Sequence, residues 1–285
     1  MPIHRQMAVG LRIPEQDFHW NESDMVRYRL AVGQSVAQRE VLPTFAMTAP
    51  GAFGVVSPDF YHPEPPEIRF PGIRLNLATL LQLEQQLEVH HPLPHTGSAR
   101  CRGEVVAVEE HGDAAVLVQR TDLLGTDGTV LVSGTSRVHA RGEGNGEAGD
   151  RPQPDRTPIP DRAPDAEVLT PTLRYQALWY QRCGRGNSML GNVHTDPAFA
   201  RAAGLPDPIM QGVCTYAMVC AVIVDTVLEG QASRVRRYTA RFRGIVFPGE
   251  TLRTRIWSDE DRHVFATSIP ARADKCVLTG VLRTR

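Results

Sequence analysis

The run from Val213 to Leu228 is apolar except for Thr215, Asp225 and Thr226, and it limits what the rest of the chain can be. It is shorter than the ~20 residues needed to cross a bilayer and carries Asp225 inside it, so it reads as a core helix and not as a membrane span. A helix that is apolar nearly all round must be covered on most sides. A strongly curved antiparallel sheet wrapped around it would do that.

The flanking patterns supply such a sheet. After the apolar run, Tyr238, Ala240 and Phe242 alternate with Arg237, Thr239, Arg241 and Arg243, which is period-two patterning with one buried face. Pro248-Gly249 forms a turn into Leu252, Thr254 and Ile256, which share a face. Hairpins follow around Ser258 to Arg262 and Ala271 to Lys275. An earlier part of the chain has a similar layout. An apolar-periodic segment from Leu75 to Val89 reads as a second long helix. Strand-like runs follow over Arg100 to Glu109, Ala114 to Asp122 and Thr129 to Ala140, with turn chemistry at His111-Gly112-Asp113 and Asp127-Gly128. Between the two parts, Gly142 to Asp165 is rich in Gly, Pro and charge and has little to bury, so it reads as a linker. Its Gly142, Gly144 and Gly146 are not a nucleotide fingerprint, because no strand–turn–helix context follows. The expected division is a first domain over 1–141, a linker over 142–165 and a second domain over 166–285. Periodicity alone supports an α+β chain with an internal repeat.

Composition removes several function classes. The formal net charge of −1 over 285 residues leaves no footprint for nucleic acid or an anionic membrane surface. Cys101, Cys183, Cys214, Cys220 and Cys276 are odd in number and match no disulfide or zinc spacing. A reduced, cytoplasmic setting fits them. The N-terminus shows no charged start followed by an apolar stretch, so no secretory signal is expected.

The informative stretch is Tyr180 to Met218, YQRCGRGNSMLGNVHTDPAFARAAGLPDPIMQGVCTYAM. It resembles the active-site segment of the MaoC-like, (R)-specific enoyl-thioester hydratase 2 family at Tyr180, Gly184, Asn187, His194, Asp196-Pro197, Ala203-Gly204, Pro208-Ile209 and Gly212. Further matches are Arg241-Phe242 through Phe247-Pro248-Gly249-Glu250-Thr251-Leu252, Leu42-Pro43-Thr44-Phe45-Ala46, and Leu87-Glu88 to His91-Pro92-Leu93-Pro94. The resemblance implies a tandem, or double, hot-dog fold: two long central helices, each wrapped by a curved antiparallel sheet, with the sheets paired edge to edge. It also implies an acyl thioester substrate, carried on CoA or on an acyl carrier protein. The first half would bind the acyl chain and the second would carry the site. No cofactor and no metal are implied, and a homodimer is compatible with it.

Dehydrating a 3-hydroxyacyl thioester needs a base for the α-proton, donors for the enolate oxygen and an acid for the leaving hydroxyl. His194 is the natural proton carrier, since imidazole titrates near neutral pH. Gly212 opens the apolar helix, where the first N–H groups have no internal partner; without a Cβ it lets a carbonyl approach closely. The resemblance makes Gly212 the oxyanion donor and adds Asn187 to the site. Each residue also has a structural reading. Gly212 can serve a tight helix contact. Asp196 fits an N-cap, with Pro197 at the first helical position and Gly204 closing the helix. His90 and His91, before Pro92, suit a loop.

The chain departs from the family pattern where the catalytic aspartate is expected. Counted forward from Gly184 that position is Arg185; counted back from His194 it is Met189, because the spacing is four residues longer than the family's. Asn187 matches only the forward count, and Asn192 takes its place in the other. The histidine expected before Gly212 is Gln211. Loss of one acid–base partner typically costs ~10²–10⁴ in rate. The leading expectation is therefore a hydratase or dehydratase with His194 doing most of the proton work. The alternatives are a diverged isomerase or cyclase acting on a polyketide-like intermediate, a non-catalytic acyl-thioester binder, and, weakest, a hydrolase using Ser188, His194 and Asp196 without the strained nucleophile elbow.

Overall fold

The computed structural model describes residues 3–51, 61–63, 66–70, 73–76, 80–144, 158–184 and 192–285. The chain begins with a short helix α1 (Arg5–Ala8), strand β1 (Arg12–Trp20) and helix α2 (Glu22–Ala31), and then makes a 3-10 turn, Pro43–Thr48. Three short strands, β2 (Tyr61–Pro63), β3 (Pro66–Phe70) and β4 (Ile73–Asn76), make a separate small sheet. Long strands β5 (Leu80–Val89), β6 (Gly97–His111), β7 (Ala114–Gly125) and β8 (Val130–Arg141) complete the first half. The second half runs β9 (Ala166–Pro171), α3 (Gln176–Gln181), α4 (Pro197–Ala202), α5 (Gly212–Val227), β10 (Val235–Phe242), β11 (Thr251–Asp259), β12 (Arg262–Ile269) and β13 (Lys275–Thr284).

Ten strands form one antiparallel sheet in the order β1-β6-β7-β8-β5-β10-β13-β12-β11-β9. Read outward from the β5–β10 seam, the two halves repeat one topology: a strand, a helical segment, then a seam strand followed by a three-strand meander whose last strand pairs with it. The expected edge-to-edge pairing of two hot-dog sheets is this seam, where Leu87 lies opposite Tyr238 and Gln85 opposite Ala240. Arg241 donates to Glu84 across it at 2.9 Å, and Arg237 to Glu88 at 3.3 Å. These partly exposed pairs fix register more than they stabilise.

Helix α5 sits in the concavity of the second half as its composition requires. From Val213 through Ala221 every residue is buried, as are Ile223 and Val224. Tyr216 Oη donates to the Tyr238 carbonyl at 2.9 Å and Tyr238 Oη to the Tyr216 carbonyl at 3.0 Å, with their rings 4.3 Å apart, so helix and sheet are clasped with both hydroxyls satisfied. The helix ends where Glu229 and Gly230 take positive φ; a Cβ at Gly230 would collide with the Gln38 amide.

One expectation fails. Leu75 to Val89 is not a second central helix: its described residues belong to β4 and β5, and 77–79 lie outside the described residues. Leu80, Leu83 and Leu87 fit a helical repeat, and Gln and Glu favour helices. Yet Gln85, Leu87 and Val89 alternate equally well, and all three are buried in the strand. Pairing on both sides, to β8 and to β10, overrides the propensity. Among the described residues, the place corresponding to α5 in the first half holds only the 3-10 turn, while α2 packs against α3. Helix α2 is held at its start by a capping box: Asn21 Oδ1 accepts from Ser23 and Asp24 N–H, and Asp24 accepts from Asn21 N–H.

Candidate active site

The site forms where three pieces of the second half meet at the start of α5. The segment around His194 is joined to the segment before α5 by backbone: Ile209 N–H donates to the Val193 carbonyl at 3.0 Å. Met210 N–H in turn donates to the Val246 carbonyl at 2.8 Å, which ties in the turn after β10. Gln211 Nε2 reaches back to the Ala177 carbonyl of α3 at 2.9 Å. The turn itself is fixed by Glu250 Oε2, which accepts from Phe247 N–H at 2.7 Å and from Arg272 at 2.8 Å, while the Arg272 guanidinium lies 5.7 Å from the Phe247 ring centre.

His194 is half-buried, and its Nδ1 lies 3.0 Å from the Ile209 carbonyl. A carbonyl can only accept, so Nδ1 carries the proton and Nε2 carries the lone pair. Burial pushes the imidazole below the ordinary histidine range; the bond to Ile209 opposes this more weakly. Near neutral pH the ring is therefore an uncharged base. Asn192 presents this residue: its Oδ1 accepts from His194 N–H at 2.9 Å and from Thr195 N–H at 3.1 Å.

Gly212 is the first residue of α5, three positions beyond the carbonyl that holds His194. Its N–H and that of Val213 precede the first intrahelical bonds, which reach the Gln211 carbonyl from Cys214 and Thr215. A Cβ at Gly212 would lie 3.0 Å from Phe242, so the tight-contact reading holds as well.

Asp196 caps α4, accepting from Ala198 and Phe199 N–H at 2.9 and 3.1 Å; Pro197 follows and Gly204 takes φ +80° after the helix. The Ser-His-Asp hydrolase reading is corrected here, because the His194 nitrogen that an aspartate would have to hold is given to Ile209. Gln211 stands at the N-cap of α5 with its Oε1 buried and without a partner among the described residues. Tyr180, on α3, is buried, its ring 6.3 Å from that of Tyr28, and burial raises its phenol well above the usual range. Arg185, Asn187, Ser188 and Met189 lie outside the described residues. His90 lies in the first half, with Nε2 3.1 Å from Ser133 Oγ. All five cysteines are free thiols.

Two contributors escaped the sequence reading. The Ile209 carbonyl, which sets the His194 tautomer, is backbone and has no residue-type signal. Arg272, which braces the turn beside the site, is one arginine among many in a hairpin. No helix among the described residues is long and apolar enough to cross a membrane.

Comparison with known proteins agrees with the fold. The MaoC like domain model matches residues 159–279, and the MFE-2 hydratase 2 N-terminal domain model matches residues 18–142. Enoyl-CoA hydratase ChsH3 of Mycobacterium tuberculosis is 38% identical over 99% of this chain and 98% of its own length. The 3-hydroxyacyl-thioester dehydratase Y of the same organism is 32% identical over 92% of this chain and 90% of its own. The MaoC-like dehydratase from Phytophthora capsici shares the fold at a TM-score of 0.81, with 23% identity over 100% of this chain and 97% of that one. The full-length peroxisomal multifunctional enzyme type 2 from Drosophila melanogaster superposes at 0.78 with 27% identity, over 96% of this chain and 48% of that one. With its paired hot-dog sheets, its long apolar helix α5 and relatives matched nearly end to end, the chain belongs to the MaoC-like, hydratase 2 family of double hot-dog proteins.

Proposed function

We infer that this protein is a hydro-lyase acting on an acyl thioester, adding water to a 2-enoyl group or removing it from a 3-hydroxyacyl group. The observation that carries the reading is the tautomer of His194: Nδ1–H is committed to the carbonyl of Ile209, three residues before the start of α5, which leaves Nε2 as an uncharged base. In the hydration direction, Nε2 takes a proton from water as the water oxygen bonds to the β-carbon. The electrons of the C=C bond move onto the thioester oxygen, where the Gly212 N–H donates to the enolate. The imidazolium then returns its proton to the α-carbon, so one group serves both half-steps. This economy suits a chain in which neither Arg185 nor Met189 can accept a proton at the aspartate position.

CoA is the carrier we propose, following the names of the relatives matched over their full length. The residue 142–165 stretch is proposed as the link between an acyl-binding first half and a catalytic second half. The non-catalytic binder has no specific observation in its favour, and neither does the isomerase or cyclase. The test is direct: purified protein with a short 2-enoyl-CoA is followed by loss of the conjugated enoyl absorbance and by free-thiol release. Hydration without thiol release is expected. Thiol release without hydration, or no reaction at all, would refute the reading.

A further inference from the structure

In the first half, a cavity lies between the 3-10 turn Pro43–Thr48 and the concave face of the sheet, with Met47 above and Leu87, Leu123, Val132, Thr121 and Gly134 below. Thr121, Gly134 and Leu87 are cross-strand partners on β7, β8 and β5. Two residues further along the same strands, hence on the same face, lies the row Gln119, Ser136, Gln85. All three are polar, and they are 1%, 2% and 0% exposed. Ser136 and Gln85 satisfy each other and the chain: Ser136 Oγ donates to Gln85 Oε1 at 2.6 Å, and Gln85 Nε2 to the Gln86 carbonyl at 3.1 Å.

Gln119 is different. Its Nε2 donates to the Gly51 carbonyl at 3.0 Å and to Thr121 Oγ1 at 3.1 Å. Because Gly51 offers only an acceptor, the amide cannot be turned the other way. That leaves Gln119 Oε1 buried with no partner among the described residues. Thr121 Oγ1 already accepts, so its O–H is left to donate, and Thr121 lines the cavity. Thr121 thus brings a free donor to an otherwise apolar space, and the unused acceptor of Gln119 belongs to the residue hydrogen-bonded to it just beyond that lining. A hydroxyl group, which gives one hydrogen bond and takes another, matches both. A hydrocarbon end would leave the Gln119 carbonyl dry and unpaired, which buried polar groups avoid.

We propose that Gln119 and Thr121 read a hydroxyl carried on the acyl group far from its thioester, so that the protein prefers hydroxylated acyl chains over plain ones. The proposal rests on the acyl-thioester reading, with the first half as the acyl compartment. It is tested by calorimetry with saturated acyl-CoA pairs of increasing chain length, matched with and without a terminal hydroxyl, on wild type, Gln119→Leu and Thr121→Val. At the length that reaches the row, the hydroxylated ligand binds ~10-fold tighter to wild type, and each substitution removes that preference. No hydroxyl preference at any length in wild type overturns the proposal, even if both variants fail to fold; so does a preference that survives in both. Hydration of a four-carbon 2-enoyl-CoA, too short to reach the row, separates the two ideas. If it proceeds while the hydroxyl preference is absent, only the hydroxyl proposal falls. If no acyl-CoA binds and none is hydrated, both fall.

Discussion

The two halves of the sheet run through the same order of strands, but they fill their concave faces differently. In the second half α5 occupies the hollow, and its side chains from Val213 to Ala221 are all buried. In the first half the described residues place only a six-residue 3-10 turn there, above a floor that carries Gly134, Thr121 and the polar row through Gln119. Under the proposed function, one scaffold thereby supports two tasks. A hollow filled by a helix yields a rigid helix start, which is what an oxyanion donor needs. Among the described residues the first-half hollow has no such helix, and the acyl chain we propose would lie there. Under that proposal, catalysis and acyl recognition are separated along a single continuous sheet.

That division can be broken from either side. The largest effect is expected in the second half. His194→Ala lowers kcat/KM for 2-enoyl-CoA by ~10²–10⁴ while leaving the melting temperature near that of wild type; steady-state kinetics with thermal melting check both. Gly212→Val, whose Cβ would crowd Phe242 at 3.0 Å, blocks the approach to the first N–H and lowers kcat by ~10². In the first half, Gly134→Leu extends a side chain from a position where a Cβ already meets Leu87 at 3.4 Å. It lowers kcat/KM for long-chain enoyl-CoA roughly tenfold and spares the four-carbon substrate, which a chain-length series would show. The smallest effect is at Asp196. As an N-cap, its replacement by alanine costs about 1 kcal/mol of stability and keeps kcat/KM within about tenfold of wild type, well short of what loss of a proton-transfer partner costs. Chemical denaturation and kinetics on the same preparation distinguish the two roles.

Much of this was legible in the sequence where local and global preferences agree. Val213 to Leu228 can only be a covered helix, and the alternation at Tyr238, Ala240 and Phe242 can only serve a half-buried strand. Asp196-Pro197 with Gly204 carries the full punctuation of a short helix, and α4 appears there. Leu80 to Val89 misleads because its leucines satisfy both periods and its Gln and Glu residues favour helix. Its strand state is imposed by neighbours on β8 and β10, far away in the chain. At the site, His194 and Gly212 were legible through residue type and pattern. The carbonyl that selects the His194 tautomer was not, since every residue has one. The polar row of Gln119, Ser136 and Gln85 was hidden because it exists only in the register of three strands.

The central claim is that one uncharged imidazole does the proton work, and the pH dependence of kcat/KM for 2-enoyl-CoA hydration tests it most directly. Burial lowers the pKa of His194 below its ordinary value of 6.5, and only the neutral ring can take water's proton. Activity should therefore hold as pH falls through 6.5 and drop at a lower pH, and the residual activity of His194→Ala should lack that acidic limb. An acidic limb of the same midpoint in His194→Ala would assign the base to another group and contradict the account.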